Sequence, residues 1–402
     1  MPTFSYVATD RNGKKQNSTI NADSLQAAQA ALKQRGLQVQ SVKAQGGPKG
    51  GPSARTKVKS VELLIFVRQL STIVSAGLPL MQGLDILAEQ TDDEKFAGVI
   101  RAICADVETG ETFSEALKRF PRAFPDLFVS MVRAGEAGGD LDGVLMTLAD
   151  YIEKSENLKR KIKSAMMYPI IAFSMVILIA SGLVIFVVPQ FASMFAGFGA
   201  KLPLPTQILL DTSNFLRSYR AVFIVFGAVG AFMAIRLYSR TAGGRYNIDN
   251  WKMKMPVFGK LLRKVAISRF TRTLSTLTKS GVAILLALEI TERTAGNEVF
   301  SKVVREAGES VRNGETLAEP LERSQEFPGM VTRMIGVGEK TGALESMLLK
   351  IAEFYDSEVE AAVDGLTSMI EPILIMFMGI VVGGIVIALF MPILMLSSVV
   401  SQ

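Results

Sequence analysis

The sequence predicts a mainly α integral membrane protein with two homologous cytoplasmic helical bundles of about six helices each, three transmembrane helices and a small α/β amino-terminal module. Long uncharged apolar runs occur twice, the second half of the chain repeats the first, and a Gly/Pro-rich stretch sets off the opening residues. A length of 402 residues suits two or three domains, and 49% of them are hydrophobic. The mean hydropathy of +0.31 exceeds that of an ordinary soluble chain.

Residues 1–43 form the module. Phe4–Ala8 and Ser18–Ala22 read as strands, Ser24–Arg35 as a helix stopped by Gly36, and Leu37–Val42 as a last strand. Residues 44–57 are a Gly/Pro/Ser linker without periodicity, so the module is tethered rather than fused. The polar start carries Arg11, Lys14 and Lys15 with no apolar core behind them, and no cleavable signal peptide is expected.

The repeat begins at Phe66, where FVRQLSTIVSAGLPLMQGLDI matches FTRTLSTLTKSGVAILLALEI from Phe270. The tripeptide GET recurs at Gly110 and Gly314, Phe124-Pro125 recurs as Phe327-Pro328, and Gly135-Glu136 recurs as Gly338-Glu339. The bundles are expected at 58–165 and 239–368. In the first, Val61–Ala76 is amphipathic and stops at Gly77, and Pro79 opens the next helix. Thr112-Phe-Ser-Glu115 is a capping box, repeated as Thr316-Leu-Ala-Glu319. A turn at Gly135–Gly139 hands over to a long helix that starts near Asp140 and enters the membrane.

Lys163 and Lys201 enclose an uncharged stretch whose Ile170–Val188 portion is almost wholly apolar, and Ile373–Leu396 is its counterpart, with Gly379, Gly383 and Gly384 offering a close-packing face. Pro169 and Pro189 bracket the first run, Pro372 and Pro392 the last. Ala221–Ile235 is a weaker span: as a helix it covers roughly 22 Å against a hydrocarbon core of roughly 30 Å. Arg220, Arg236, Tyr219 and Tyr238 can snorkel to make up the difference. Basic clusters at Lys154–Lys163 and from Arg236 to Lys264 place both bundles in the cytoplasm. The spans are then 166–190, 218–238 and 369–396, with 191–217 an external loop and 397–402 an external tail. Topology and lipid headgroups account for the basic clusters, and no nucleic-acid partner is expected, because aromatic interleaving is missing.

With no histidine, every mechanism that needs an imidazole base or a His-ligated metal is excluded, and Cys104 alone forms no internal disulfide or cysteine zinc site. GVGEKTGAL at Gly336 has Glu339 where a phosphate loop needs glycine, and reads as a helix junction instead. Glu108 and Glu111, like Glu358 and Glu360, read as solvated helix faces. No catalytic residue, cofactor or metal is expected. Glu136 and Glu339, beside equivalent turns, fit either a structural home near a helix terminus or a partner contact. Glu371, before Pro372 at the membrane edge where copy one has Tyr168, is costly there unless paired or wet, and is an interaction candidate.

These elements together, from FSYVATD and the helix SLQAAQAALKQRG through the twice-used F-x-R-x-L-S-T to KIKSAMMYP and VVP, resemble the inner-membrane platform family of type IV pilus and type II secretion machines (PilC/GspF). The element from Lys161 to Tyr168-Pro169 looks like the family signature. Copy two departs from it, with Glu371-Pro372 in place of Tyr-Pro and with Glu358, Glu360 and Asp364 in place of the basic lead-in. The resemblance implies a non-enzymatic scaffold of the inner membrane that couples a cytoplasmic hexameric assembly or retraction ATPase to major and minor pilins. It also implies inner-membrane alignment proteins of the same machine as partners. A homodimer in the lipid bilayer is expected from the exposed bundle faces. The partner-binding candidates are Gly135, Glu136, Gly338, Glu339, Lys340, Tyr168, Pro169, Glu371 and Pro372. A transporter built from parallel repeats and a membrane-tethered adaptor are the competing classes.

Overall fold

The computed structural model describes residues 3–9, 15–21, 38–44, 53–54, 56–196, 203–256 and 258–400. The predicted helix Ser24–Arg35 and most of the linker lie outside them. The chain divides into two compact units, 1–59 with 72–125, and 60–71 with 126–402.

The first unit holds an antiparallel three-stranded sheet of β1 (Thr3–Thr9), β2 (Lys15–Asn21) and β3 (Gln38–Ala44), with β1 in the centre. Thr3 lies opposite Asn21 and Thr9 opposite Lys15, while the β1–β3 register shifts between Val7 and Ala8. After α1 (Ser60–Ser75), which crosses the division between the units, come α2 (Leu80–Gln90), α3 (Glu94–Glu108) and α4 (Phe113–Lys118). Each start has a local cause. Pro79, with no N–H to lose, sits at the cap of α2, and Asp93 accepts from Lys95 N and Phe96 N at 2.8 and 3.0 Å to start α3. Thr112 accepts from Glu115 N at 3.3 Å to start α4. Apolar residues at helical spacing, among them Leu84, Leu87, Phe96, Ile100 and Phe113, are almost fully buried, and the Phe96 and Phe124 rings lie 6.2 Å apart.

The second unit begins with α5 (Asp126–Gly138) and α6 (Leu141–Gly182). A π-helical turn at Leu183–Val187 and α7 (Val188–Ala196) continue α6. Then come α8 (Leu204–Arg217), α9 (Tyr219–Tyr238) and α10 (Ala242–Lys254). The second copy follows as α11 (Phe258–Lys279), α12 (Ile284–Thr294), α13 (Glu298–Arg312), α14 (Ala318–Arg323), α15 (Gly329–Thr341) and α16 (Leu344–Val400). Helix for helix, α11–α16 repeat the order of α1–α6, and Asn297 caps α13 as Asp93 caps α3. Phe327 meets the edges of Phe270 and Phe300 at 5.0 and 5.1 Å in this copy's core.

Two helices are long and apolar enough to cross a membrane, Leu141–Phe191 and Leu344–Pro392. Only 11% and 17% of their most apolar windows are buried against protein, the opposite of a soluble core helix. The prolines do not end these helices: Pro169, Pro372 and Pro392 lie inside them.

Three expectations change. The turn predicted at Gly135–Gly139 shrinks to Gly139 and Asp140, because α5 stays helical through Gly138. Gly139 then adopts φ +71°, and Asp140 N donates to Gly135 O at 3.0 Å in a glycine-dependent helix stop. The segments expected as an external loop and tail carry helix and not irregular chain: the end of α7 and α8 lie within 191–217, and 397–400 continue α16. The capping box repeated at Thr316 does not form either, since no side chain of its own segment caps α14.

Candidate functional site

The equivalent turns are built by close helix approach. Gly135 and Gly338 are buried near the ends of α5 and α15. A Cβ at Gly135 would lie 3.0 Å from Val144 Cγ2, and one at Gly338 would lie 2.9 Å from Leu344 Cα, so each glycine lets the next long helix fold back against its own. Glu339, half-buried, accepts from Leu317 N at 2.5 Å and Ala318 N at 3.1 Å. It supplies across space the cap that Thr316 does not, through charge-assisted bonds to free N–H groups at a helix start. That role is structural. Its neighbour Lys340 is exposed in the last turn of α15, and Glu136 is half-buried on α5.

The second set of candidates lies on α6 and α16. Lys161 Nζ meets Glu360 Oε1 at 2.5 Å, and the Phe173 and Phe377 rings stack at 4.6 Å, so the helices run parallel, side by side. Those contacts bracket Tyr168-Pro169 and Glu371-Pro372 and bring the two pairs to the same level. Tyr168, Glu371 and Pro372 are exposed there, whereas Pro169 is buried. Leu261, Val359, Val363 and Leu366 form the core just before this level, with Leu158, Ile162 and Val265 packed against it.

Glu358 and Glu360, read as solvated helix faces, keep side chains 38% and 44% exposed and also take part in ion pairs between helices. Glu360 pairs with Lys161 of α6, and Glu358 accepts from Lys264 of α11 at 2.6 Å. Further along, Asp356 accepts from Ser268 Oγ at 2.5 Å and pairs with the largely buried Arg272. Burial, with Glu358 adding, pushes the Tyr355 hydroxyl above its ordinary range. Carboxylates at every second position, as at Asp356, Glu358 and Glu360, spread over more than one helix face and are compatible with a seam as well as with solvent, and only the position of the facing helix separates the two.

Sequence reasoning also missed α8. Thr206 Oγ1 donates to the Ala388 carbonyl of α16 at 2.5 Å, and Ser213 is fully buried. Ile208 and Leu209 of α8, Val184 of the π turn, and Gly384 and Ile385 of α16 line one apolar groove. The apolar period of LPTQILLDTSNFLR was the available signal, hidden behind Pro203, Pro205 and Asp211, which read as loop. Among the described residues no group of acidic or cysteine side chains is arranged to hold a metal ion.

Both copies, from the first helix of each bundle to the proline that ends its apolar run, match the type II secretion system (T2SS) protein F family, over residues 66–189 and 270–392. The chain belongs to the type II secretion system protein F family. Residues 1–43 match the amino-terminal domain of protein F as well. Among protein F relatives, the chain is 43% identical to the type IV pilus assembly protein PilC of Myxococcus xanthus, over 99% of this chain and 95% of that one. It is also 43% identical to the type IV pilus assembly protein PilC of Thermus thermophilus, over 98% and 97% of the two chains. It is 33% identical to the type II secretion system protein F of Pseudomonas aeruginosa over the full length of both. Protein F members are structural platform components of type IV pilus and type II secretion systems. Membership and the two apolar helices together point to an inner-membrane protein.

Proposed function

We propose that this chain is the inner-membrane platform of a type IV pilus, or of a related type II secretion machine, and couples a cytoplasmic hexameric ATPase to the extraction, addition or removal of pilin subunits. The observation that carries the reading is the continuous helical run Leu141–Phe191, which includes one π-helical turn at Leu183–Val187, matched by Leu344–Pro392. Each starts at a glycine turn of a polar bundle and ends in an apolar stretch, so a displacement imposed on the bundle is passed along a stiff rod into the bilayer. In this reading the spans are 166–190, 218–238 and 369–396, the amino terminus and both bundles are cytoplasmic, and the carboxy terminus is outside. α9, a helix of 20 residues, is the return crossing. The bundle turns, at Glu136 and Lys340, face the motor, and the exposed Tyr168, Glu371 and Pro372 face pilin helices at the membrane edge. Glu339 serves the turn by holding α14 in place.

The test is site-specific photocrosslinking in cells from Ala137 and Lys340 and from Tyr168 and Glu371, all exposed. Capture of a hexameric ATPase from the first pair and of a pilin-like subunit from the second is expected. Capture of neither, with a small-molecule transport defect on deletion, would replace the platform by a transporter.

A further inference from the structure

Three helices meet just before the membrane edge, and their seams carry different charge. Between α6 and α16 Lys161 meets Glu360, and between α11 and α16 Lys264 meets Glu358 and Arg272 meets Asp356. The third seam, between α6 and α11, opens into a cleft of about 320 Å3. Lys154, Lys159 and Lys163 line it from α6, and Arg269 and Arg272 line it from α11. No described carboxylate lines it. Lys159 pairs with Glu156 at 3.0 Å and Arg272 with Asp356, but among the described residues Lys154, Lys163 and Arg269 have no carboxylate within ion-pair distance. The floor is apolar, formed by Leu158, Ile162, Val265 and Met166.

Cations on both walls of a cleft repel each other unless an anion lies between them. Along α6 the cleft's lysines follow at intervals of five and four residues, and its membrane end reaches Met166, at the start of the apolar run. An anion with a greasy continuation on the bilayer side fits both features. We propose that this cleft binds the phosphodiester headgroup of an anionic phospholipid, with Lys163, Lys154 and Arg269 taking the phosphate charge and Met166 and Ile162 contacting the start of an acyl chain. The inference rests on the membrane reading above. By filling the repulsive seam, the lipid would tie α6 of the first copy to α11 of the second.

The experiment is native mass spectrometry of the full-length protein released from micelles doped with cardiolipin, phosphatidylglycerol or phosphatidylcholine. The triple variant Lys154→Gln/Lys163→Gln/Arg269→Gln is compared with a control, Arg160→Gln/Lys260→Gln, that removes exposed cations outside the cleft on the same two helices. The wild type is expected to retain anionic lipid. Each neutralised cleft cation should weaken retention about fivefold, on the order of a hundredfold for the triple variant. The control should retain lipid as the wild type does, and matching circular dichroism melts will show all three are folded. Equal retention by wild type, triple variant and control would overturn the site, leaving only general surface attraction. Stripping of the lipid by inorganic pyrophosphate at micromolar concentration would overturn the lipid as ligand and leave a soluble phosphate in its place. Carbonate washing of cell membranes separates the two failures. Protein that washes off sinks the membrane reading itself, whereas protein that stays but binds no lipid sinks only the cleft.

Discussion

Glu339 accepts two backbone N–H groups at the start of a helix that has no side-chain cap of its own, so its loss strands both donors at once. Glu339→Ala is expected to destabilise the second unit by about 1–3 kcal/mol. Thermal unfolding in micelles will read this, and Glu339→Gln, which keeps one acceptor oxygen, should lose less. The neighbouring Gly338→Ala and its equivalent Gly135→Ala should both destabilise, because the added Cβ comes within 2.9 Å of Leu344 Cα in one case and within 3.0 Å of Val144 Cγ2 and 3.2 Å of the Asp140 carbonyl oxygen in the other. A melting temperature unchanged by either substitution would refute the close-approach account. Cys104 presents a third case. Burial, with Asp85 beside it, pushes its thiol up to about 12, so the reactive thiolate is scarce in the folded protein. Maleimide at pH 8 should therefore label it only after unfolding. Because the folded thiol titrates above the unfolded one, its contribution to stability is complete below about pH 9 and is lost as pH rises from there to about 12. Cys104→Ala should flatten that part of the profile.

Among the elements, helix starts with a local cause were legible in the sequence: Pro79 opens α2, and Thr112 caps α4. Where the cause lies elsewhere in the chain, the sequence was silent. Glu339 replaces Thr316 from across the bundle, and α8 sits along α16 because Thr206 finds a carbonyl there. A stretch with two prolines and an aspartate shows no such partner in its own residues. Oxidation of Thr206→Cys/Ala388→Cys in a Cys104→Ser background should form a disulfide, and its absence would return α8 to the status of an external loop. The seams were invisible for the same reason. Burial also ranks them: Arg272 and Asp356 have side chains 9% and 25% exposed, Lys161 and Glu360 57% and 44%. Asp356→Ala, which strands a largely buried guanidinium, should cost about 3 kcal/mol. Glu360→Ala should cost no more than about 1 kcal/mol.

For the whole molecule, the duplication, the apolar runs and the family resemblance were all readable from the chain, because each is a pattern in sequence order. Of the nine candidate residues, the structure assigns Gly135, Gly338 and Glu339 to folding, while Tyr168, Glu371 and Pro372 stand exposed at one level of two parallel helices. A periplasmic reporter fused after Gln402 should be active and one fused ahead of the linker inactive. The reverse pattern would invert the proposed topology.

The acidic stretch of α16 carries a consequence for the history of the gene. Lys161 of the first half meets Glu360 of the second, so at this point the halves have become complements, although they began as copies. Gene conversion that wrote the first half over the second would put the equivalent of Asn157 where Glu360 now stands and leave Lys161 without its partner along the longest shared helix. A chain assembled from two first halves should therefore pair its long helices less tightly, and the same substitution made in both directions, Lys161→Glu with Glu360→Lys, should restore what either alone impairs. Once the charges diverged, recombination between the repeats would be selected against, and each half would be held to its own position.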